Sequence, residues 1–216
     1  MGGGQGGGDG GAGATFSGDI TPPQPLPIKG RGFIWERFPM QHDDLKALVR
    51  TIPDFPKPGI QFRDITTLML DRVGLARAVD ALAATVEGPV DLVAAIEARG
   101  FAIGGALAVK LDAGLLLIRK DGKLPGATIA EDYALEYGTD RLAMHVDACA
   151  PGARVLIVDD LLATGGTALA AARLVRRAGG DLIGARFVID LPELGGGKAL
   201  AEAGIDARSL FAFEGH

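Results

Sequence analysis

The chain has 216 residues, 48% hydrophobic and 23% charged, which is enough to bury the core of one globular domain. Its net charge of −5 and pI near 5.2 exclude the broad basic surface that nucleic-acid binding requires. A single cysteine, Cys149, excludes an intrachain disulfide. No signal-peptide pattern occurs at the start, and no apolar run approaches the ~20 residues of a membrane helix, so the expected location is cytoplasmic.

The first 39 residues have the composition of a disordered extension. Nine of residues 1–13 are glycine, and residues 21–39 add five prolines and a short aromatic and basic patch. Sequence of this kind cannot bury a core. The predicted domains are therefore a Gly/Pro-rich extension over residues 1–39 and one folded domain over residues 40–216.

The folded domain shows alternating helical and strand patterns. A first helix is predicted to begin at Asp43 or Asp44, and the three prolines of residues 53–59 forbid a helix there. The next predicted elements are a helix at 72–86, a strand at 91–96, a helix at 101–111, strands at 115–119 and 155–158, a helix at 168–178 and a strand at 182–189. This order predicts an α/β fold, with a central parallel sheet flanked by helices. Residues 120–145 interrupt the alternation and are typical of a lid or hairpin over an active site.

Residues 155–167 carry the most specific chemical signal. Four apolar residues, 155–158, describe a strand covered on both faces, and Asp159 and Asp160 follow at its carboxyl end. A small turn then leads into a helix, and its backbone N–H groups and hydroxyls can hold one phosphate. The acids would repel a phosphate, so their expected partners are neutral hydroxyls or a metal held by the ligand. The turn consists of Ala163, Thr164, Gly165, Gly166 and Thr167.

The spelling of this segment resembles the signature of the type I phosphoribosyltransferases, in its adenine phosphoribosyltransferase branch. The resemblance implies the type I phosphoribosyltransferase fold, with a small hood and a flexible catalytic loop. It implies transfer of the phosphoribosyl group from 5-phosphoribosyl 1-diphosphate (PRPP) to adenine, which gives AMP and diphosphate in purine salvage. It also implies a homodimer, and Mg²⁺ held mainly by substrate and water, with no direct protein ligand expected.

Two further segments resemble the diphosphate-binding parts of this family. The first follows a predicted strand and, taken alone, could be a helix-start turn with a surface arginine. The second is a basic turn that, taken alone, could be a solvated charge run. The resemblance implies that the first binds the leaving diphosphate through Glu97, Ala98 and Arg99, and that the second stabilises it through Arg119, Lys120 and Lys123.

The base is expected to be bound by residues 55–65 and by Leu-Glu-Tyr-Gly at 135–138. The resemblance implies that the ring of Phe62 stacks on the purine, that Ile60 and Gln61 contribute backbone contacts, and that Arg63 completes the base pocket. It further implies that Glu136 handles the proton lost by adenine and that Tyr137 closes over the site.

Three alternatives remain beside this interpretation. A 6-oxopurine phosphoribosyltransferase usually carries a lysine near the ring oxygen, and none can be placed here. A PRPP-sensing regulator that binds nucleic acid needs a basic face or a helix-turn-helix, which an acidic chain with a glycine-rich extension does not predict. A plain dinucleotide-binding module would need Gly-x-Gly-x-x-Gly after an early strand, and that motif does not occur there.

Overall fold

The computed structural model describes residue 1 and the ranges 42–134 and 139–215. The extension predicted for residues 1–39 lies outside these ranges apart from Met1, so the domain boundary at residue 40 stays a prediction. Among the helices of the described ranges, none combines the length and the apolar content needed to cross a bilayer.

The described residues form a seven-stranded sheet, a two-stranded sheet and the helices that cover them. In chain order the elements are α1 (His42–Ala47), β1 (Arg50–Pro53), β2 (Gln61–Asp64), α2 (Thr66–Leu70), α3 (Arg72–Ala84), β3 (Leu92–Ile96), α4 (Arg99–Lys110), β4 (Gly114–Lys120), β5 (Thr128–Ala134), β6 (Thr139–His145), β7 (Arg154–Leu162), α5 (Gly166–Arg177), β8 (Asp181–Asp190), a 3₁₀ turn (Pro192–Leu194), α6 (Gly196–Glu202) and β9 (Ala207–Ala212).

The large sheet has the strand order β5-β6-β4-β3-β7-β8-β9. Strands β4, β3, β7, β8 and β9 run parallel, and β6 and β5 continue the sheet antiparallel. Helix α5 packs on one face, while α3 and α4 pack on the other, each over its own apolar cluster. The predicted parallel sheet flanked by helices is confirmed, and the predicted insertion at 120–145 contains the antiparallel pair β5 and β6.

The parallel register brings the carboxyl ends of three strands to one edge. Ile96 of β3 pairs with Ile118 of β4, and Ala95 pairs with Val158 of β7. Residues 155–158 of β7 are apolar and buried, which confirms the strand covered on both faces predicted there, and β3 is also apolar and mostly buried. The polar residues at the carboxyl ends of these strands therefore meet at a single edge of the sheet.

The hood is a small antiparallel pair, β1 and β2, joined to α2 through Asp64. The carboxylate of Asp64 is buried, accepts hydrogen bonds from the guanidinium of Arg50, and accepts from the Thr66 N–H at 2.9 Å and hydroxyl at 2.7 Å. Burial alone would raise the pKa of Asp64, but the bonds from Thr66 and Arg50 lower it to about 2. Ionised Asp64 therefore stabilises the folded state.

Asp64→Asn is expected to lower the free energy of unfolding by about 2 kcal/mol at pH 7. Because the folded pKa lies below the unfolded value of roughly 3.9, the contribution of Asp64 is complete above about pH 4 and disappears as pH falls toward 2. Urea unfolding of the parent and the variant at pH 7, 4 and 2.5 measures this. A stability difference that stays constant over that range would contradict the assignment.

Candidate active site

The turn between β7 and α5 forms the floor of a pocket of about 180 Å³. Gly165 has a φ of 85°, which favours glycine, and α5 begins at the next residue. The N–H of Gly196 donates to the Ala163 carbonyl at 2.9 Å, and a Cβ on Gly165 would lie 3.2 Å from the Gly196 backbone. Glycines at both positions thus let the start of α6 support the turn. The predicted residues Ala163, Thr164, Gly165, Gly166 and Thr167 all line this pocket.

Asp159 and Asp160 lie in the same pocket, together with Arg99. The Nε of Arg99 donates to the buried carboxylate of Asp160 at 2.5 Å, and the Asp160 N–H donates to Asp159 at 2.8 Å. Burial, followed by the negative charge of Asp160, raises the pKa of Asp159 well above its ordinary value. The pair therefore combines a carboxylate that has a cationic partner with a carboxyl group that is easier to protonate than an ordinary aspartate. Such a pair can exchange hydrogen bonds with neutral hydroxyls.

The turn after β3 brings Glu97, Ala98 and Arg99 to this edge, and its Glu97–Ala98 peptide bond is cis. Gly100 follows at the start of α4, against the end of β7. A Cβ on Gly100 would lie 2.8 Å from the carboxylate of Asp159 and 3.1 Å from the Val158 carbonyl. Only glycine therefore allows α4 to approach Asp159 this closely.

The basic turn after β4 is organised around Glu97. The carboxylate of Glu97 accepts from Arg119 Nε and from the Lys120 N–H, both at 3.1 Å. Burial alone would raise the pKa of Glu97, but these bonds and the nearby charge of Lys123 lower it. The guanidinium of Arg119 also donates to the Lys123 carbonyl at 3.0 Å, and the ammonium of Lys120 lies 2.9 Å from Asp140. The three predicted basic residues thus meet the predicted diphosphate turn.

The hood reaches this edge through Phe62. The guanidinium of Arg99 lies 5.0 Å from the centroid of the Phe62 ring, which also packs edge-to-face on Phe55 at 5.2 Å. Ile60 and Gln61, directly before this ring, are half-buried. The predicted base-binding and diphosphate-binding segments therefore contact each other.

Arg63 turns in another direction, since neighbouring residues of a strand point to opposite faces. Its guanidinium donates to the Thr51 hydroxyl at 2.6 Å and the Glu214 carbonyl at 2.8 Å, and it stacks on the Phe213 ring at 4.9 Å. These contacts attach β2 to the C-terminal segment. In the structure Arg63 therefore has a structural role. Its predicted place in a base pocket stays a prediction.

Glu136 and Tyr137 lie outside the described residues. Two neighbours of this segment, Tyr133 and Asp140, are found beside Lys120 and were not predicted, because only the strand register brings them there. Gly196 was also not predicted, although the run of three glycines at 195–197 is a visible signal. Among the described residues there is no cluster of three or more potential metal ligands.

The sequence matches known proteins over most of its length. Residues 70–196 match the family model of the phosphoribosyl transferase domain. A protein of Methylorubrum extorquens named adenine phosphoribosyltransferase is 56% identical over 177 residues, which cover 82% of this chain and 98% of that protein. The chain belongs to the adenine phosphoribosyltransferase family.

Solved structures of adenine phosphoribosyltransferases share this fold. The crystal structure from Thermoanaerobacter pseudethanolicus has a TM-score of 0.77 at 47% identity, and the match covers 80% of this chain and all of that one. The Saccharomyces cerevisiae structure, a complex with an imino-altritol bisphosphate and adenine, has a TM-score of 0.74 at 34% identity, with 79% and 98% covered. The type I phosphoribosyltransferase fold predicted from the sequence is confirmed.

Gly100→Ala is expected to lower kcat/KM for phosphoribosyl transfer to adenine by about 100-fold, because the added methyl group displaces Asp159. Steady-state kinetics on the purified variant measures this. Gly197→Ala is the matched control, since a Cβ there meets no atom within 4 Å. Equal activity of the Gly100 and Gly197 variants would contradict the importance of this close approach.

Proposed function

We propose that the edge formed by β3, β4 and β7 is where the chain performs the reaction of its family, phosphoribosyl transfer from PRPP to adenine. The observation that carries this proposal is the position of Arg99. Its side chain pairs with Asp160, lines the pocket of the Thr-Gly-Gly-Thr turn and stacks on Phe62. One residue therefore connects the segments proposed for sugar, phosphate and base.

In this proposal the sugar is held at both of its ends. Asp159 and Asp160 bind the 2- and 3-hydroxyls, which orients the ring for attack. The backbone N–H groups of the turn at the start of α5, together with the hydroxyls of Thr164 and Thr167, anchor the 5-phosphate. Residues 163–167 contain no lysine or arginine, but the positive end of the helix dipole at the N-terminus of α5 itself favours an anion.

The leaving diphosphate gains negative charge as the anomeric C–O bond breaks. Positive side chains that are already in place stabilise that charge without reorganisation at the moment of reaction. We assign this role to Arg99, Arg119, Lys120 and Lys123, with the backbone of Glu97 and Ala98 shaping the turn. If this assignment is correct, substituting these residues with uncharged ones lowers turnover.

Mg²⁺ would accompany the diphosphate and supply Lewis-acid stabilisation of its oxygens. The donor set fits a metal carried by the substrate. The carboxylate of Asp160 already pairs with Arg99, which leaves it less available to a second cation. In this proposal Asp159 and Asp160 bind the hydroxyls, and phosphate oxygens and water would hold the ion.

The base completes the site. The Phe62 ring stacks on adenine, with backbone contacts from Ile60 and Gln61. Glu136 takes up the proton that adenine loses, and Tyr137 closes over the base. These last two roles rest on the resemblance of Leu-Glu-Tyr-Gly alone, since both residues lie outside the described ranges. The cytoplasmic location predicted from the sequence also stays a prediction.

A purine panel tests the reaction directly. Purified protein with PRPP and Mg²⁺ is offered adenine, hypoxanthine, guanine and xanthine separately, and nucleotide formation is followed. We expect AMP from adenine, no product from the three 6-oxopurines, and loss of AMP formation when the metal is chelated. Product from a 6-oxopurine at a comparable rate would contradict adenine specificity, and full activity without metal would contradict the role of Mg²⁺.

We further propose that a second copy of the chain covers one face of β4, which gives the predicted homodimer. Leu116 and Ile118 are buried on the α5 face, whereas Leu115 and Leu117 on the opposite face are 45% and 38% exposed. Strands of a parallel sheet are normally covered on both faces. A second copy of the same strand offers the matching apolar surface.

Leu117→Glu is expected to shift the protein from dimer to monomer, because a charge at the centre of an apolar contact must be desolvated. Light scattering after size-exclusion chromatography measures the mass. The control is Leu70→Glu, a leucine that is 83% exposed at the end of α2 and should leave the mass unchanged. If the Leu117 variant has the same oligomer mass as the parent protein, whatever that mass is, this face is not the interface.

A further inference from the structure

The ammonium of Lys120 has a defined partner that the proposed reaction does not use. Its Nζ lies 2.9 Å from the carboxylate of Asp140 on β6. In the register of the sheet, Lys120 pairs with Leu142, two residues along β6 from Asp140. Side chains two residues apart on a strand share a face, so Lys120 and Asp140 project to the same side of the sheet. Helix α5 covers that side.

Tyr133 orients the carboxylate of Asp140. The two residues are direct partners in the β5–β6 register, which places their side chains on one face. The Tyr133 hydroxyl donates to Asp140 at 3.3 Å, and its ring is buried. The Thr167 side chain, in the first turn of α5, lies close enough to the phenol to lower the pKa of Tyr133. Asp140 and Tyr133 therefore lie between Lys120 and the turn proposed for the 5-phosphate.

The strands that carry these residues are fastened to α5. Glu131, one step further along the same face of β5, accepts from Arg173 at 2.6 Å and from Arg177 at 3.1 Å. Arg177 also donates to the Ala130 carbonyl at 2.7 Å. The position of Asp140 relative to the start of α5 is thus set by contacts outside the basic turn itself.

We propose that Asp140, oriented by the phenol of Tyr133, is the positioning residue for the ammonium of Lys120. This inference rests on the proposed function of Lys120 as a stabiliser of the leaving diphosphate. A lysine side chain has four rotatable bonds. Holding its ammonium in place before the substrate binds lowers the conformational entropy lost when the ammonium contacts the diphosphate. Because Tyr133 lies between Asp140 and Thr167, the ammonium is placed relative to the anchored end of the substrate.

The ionisation of the three groups agrees with this geometry. The bond and charge of Asp140 raise the pKa of Lys120, and the bond from Lys120, together with the Arg141 N–H, lowers the pKa of Asp140. Burial and the charge of Asp140 raise the pKa of Tyr133, although the nearby Thr167 side chain opposes this. Near neutral pH the ion pair is therefore charged, and the phenol keeps the proton that it donates.

The test is a double-mutant cycle between Asp140→Ala and Lys120→Ala. PRPP is varied at saturating adenine, and adenine is then varied at saturating PRPP. Asp140→Ala alone is expected to lower kcat/KM for PRPP about tenfold and to leave the KM for adenine unchanged. In the Lys120→Ala background the same change is expected to cost less than about twofold, because the group that it positions is gone. Equal losses in both backgrounds would show a general structural effect and overturn the proposal.

Two milder variants keep the proposal testable if Asp140→Ala fails to fold. Asp140→Asn retains an acceptor for Lys120 and Tyr133 but loses the charge, so a smaller loss, about threefold, is expected. Tyr133→Phe removes only the orienting hydroxyl and should behave similarly. Asp132→Ala is the control, because this acid on β5 is 70% exposed and pairs with Arg141 instead. Asparagine and phenylalanine variants with the activity of this control would overturn the proposal.

The same data separate this inference from the proposed function. If Lys120→Ala keeps full activity while adenine still gives AMP, then the role of Lys120 is wrong, and the positioning role of Asp140 falls with it. If Lys120→Ala loses activity and Asp140→Ala does not, only the positioning role is overturned. If adenine gives no AMP with the parent protein, the proposed function itself fails.

Discussion

The active edge depends on the pairing of Arg99 with Asp160. Two adjacent acids at the end of a buried strand would repel each other and any phosphate, unless a cation offsets one of them and the other favours protonation. Arg99 supplies that cation at 2.5 Å from Asp160, and the raised pKa of Asp159 describes the second condition. The approach of α4 that places Arg99 requires a glycine at position 100. Backbone packing therefore determines the electrostatics of the site.

The same principle explains how a chain with a net charge of −5 can serve a polyanionic substrate. Each of three cations at the edge lies beside its own acid: Arg99 beside Asp160, Arg119 beside Glu97 and Lys120 beside Asp140. These acids are fixed by the ends of strands β3, β6 and β7. The three cations are thus held at the edge where the diphosphate is proposed to bind, in a chain that is acidic as a whole. The acids hold the cations in position, which long side chains alone could not do.

Sequence patterns predicted those parts of the fold that depend on local order. The apolar runs of β3 and β7, the helical spacing of α5 and the acid pair before Thr-Gly-Gly-Thr are all readable within one segment. Strand β9 was not predicted, because Ala207–Ala212 acquires its strand identity only by pairing with β8. Asp140 and Tyr133 were missed for a related reason, since their meeting with Lys120 depends on a register between three strands. Features that depend on strand pairing between distant segments cannot be predicted from the pattern of one segment.

The two ends of the proposed substrate meet different kinds of backbone. The turn before α5 is tightly supported, since Gly165 lies against Gly196 and the Ala163 carbonyl accepts the Gly196 N–H. The basic turn is open, because Gly122 and Gly126 have positive φ and a Cβ on either would meet no atom within 4 Å. A firm anchor for the phosphate keeps the sugar in register, and an open turn can close on the diphosphate and release it. Asp140 lies between these two regions, beside Lys120 at the end of β4, and is proposed to hold its ammonium in position.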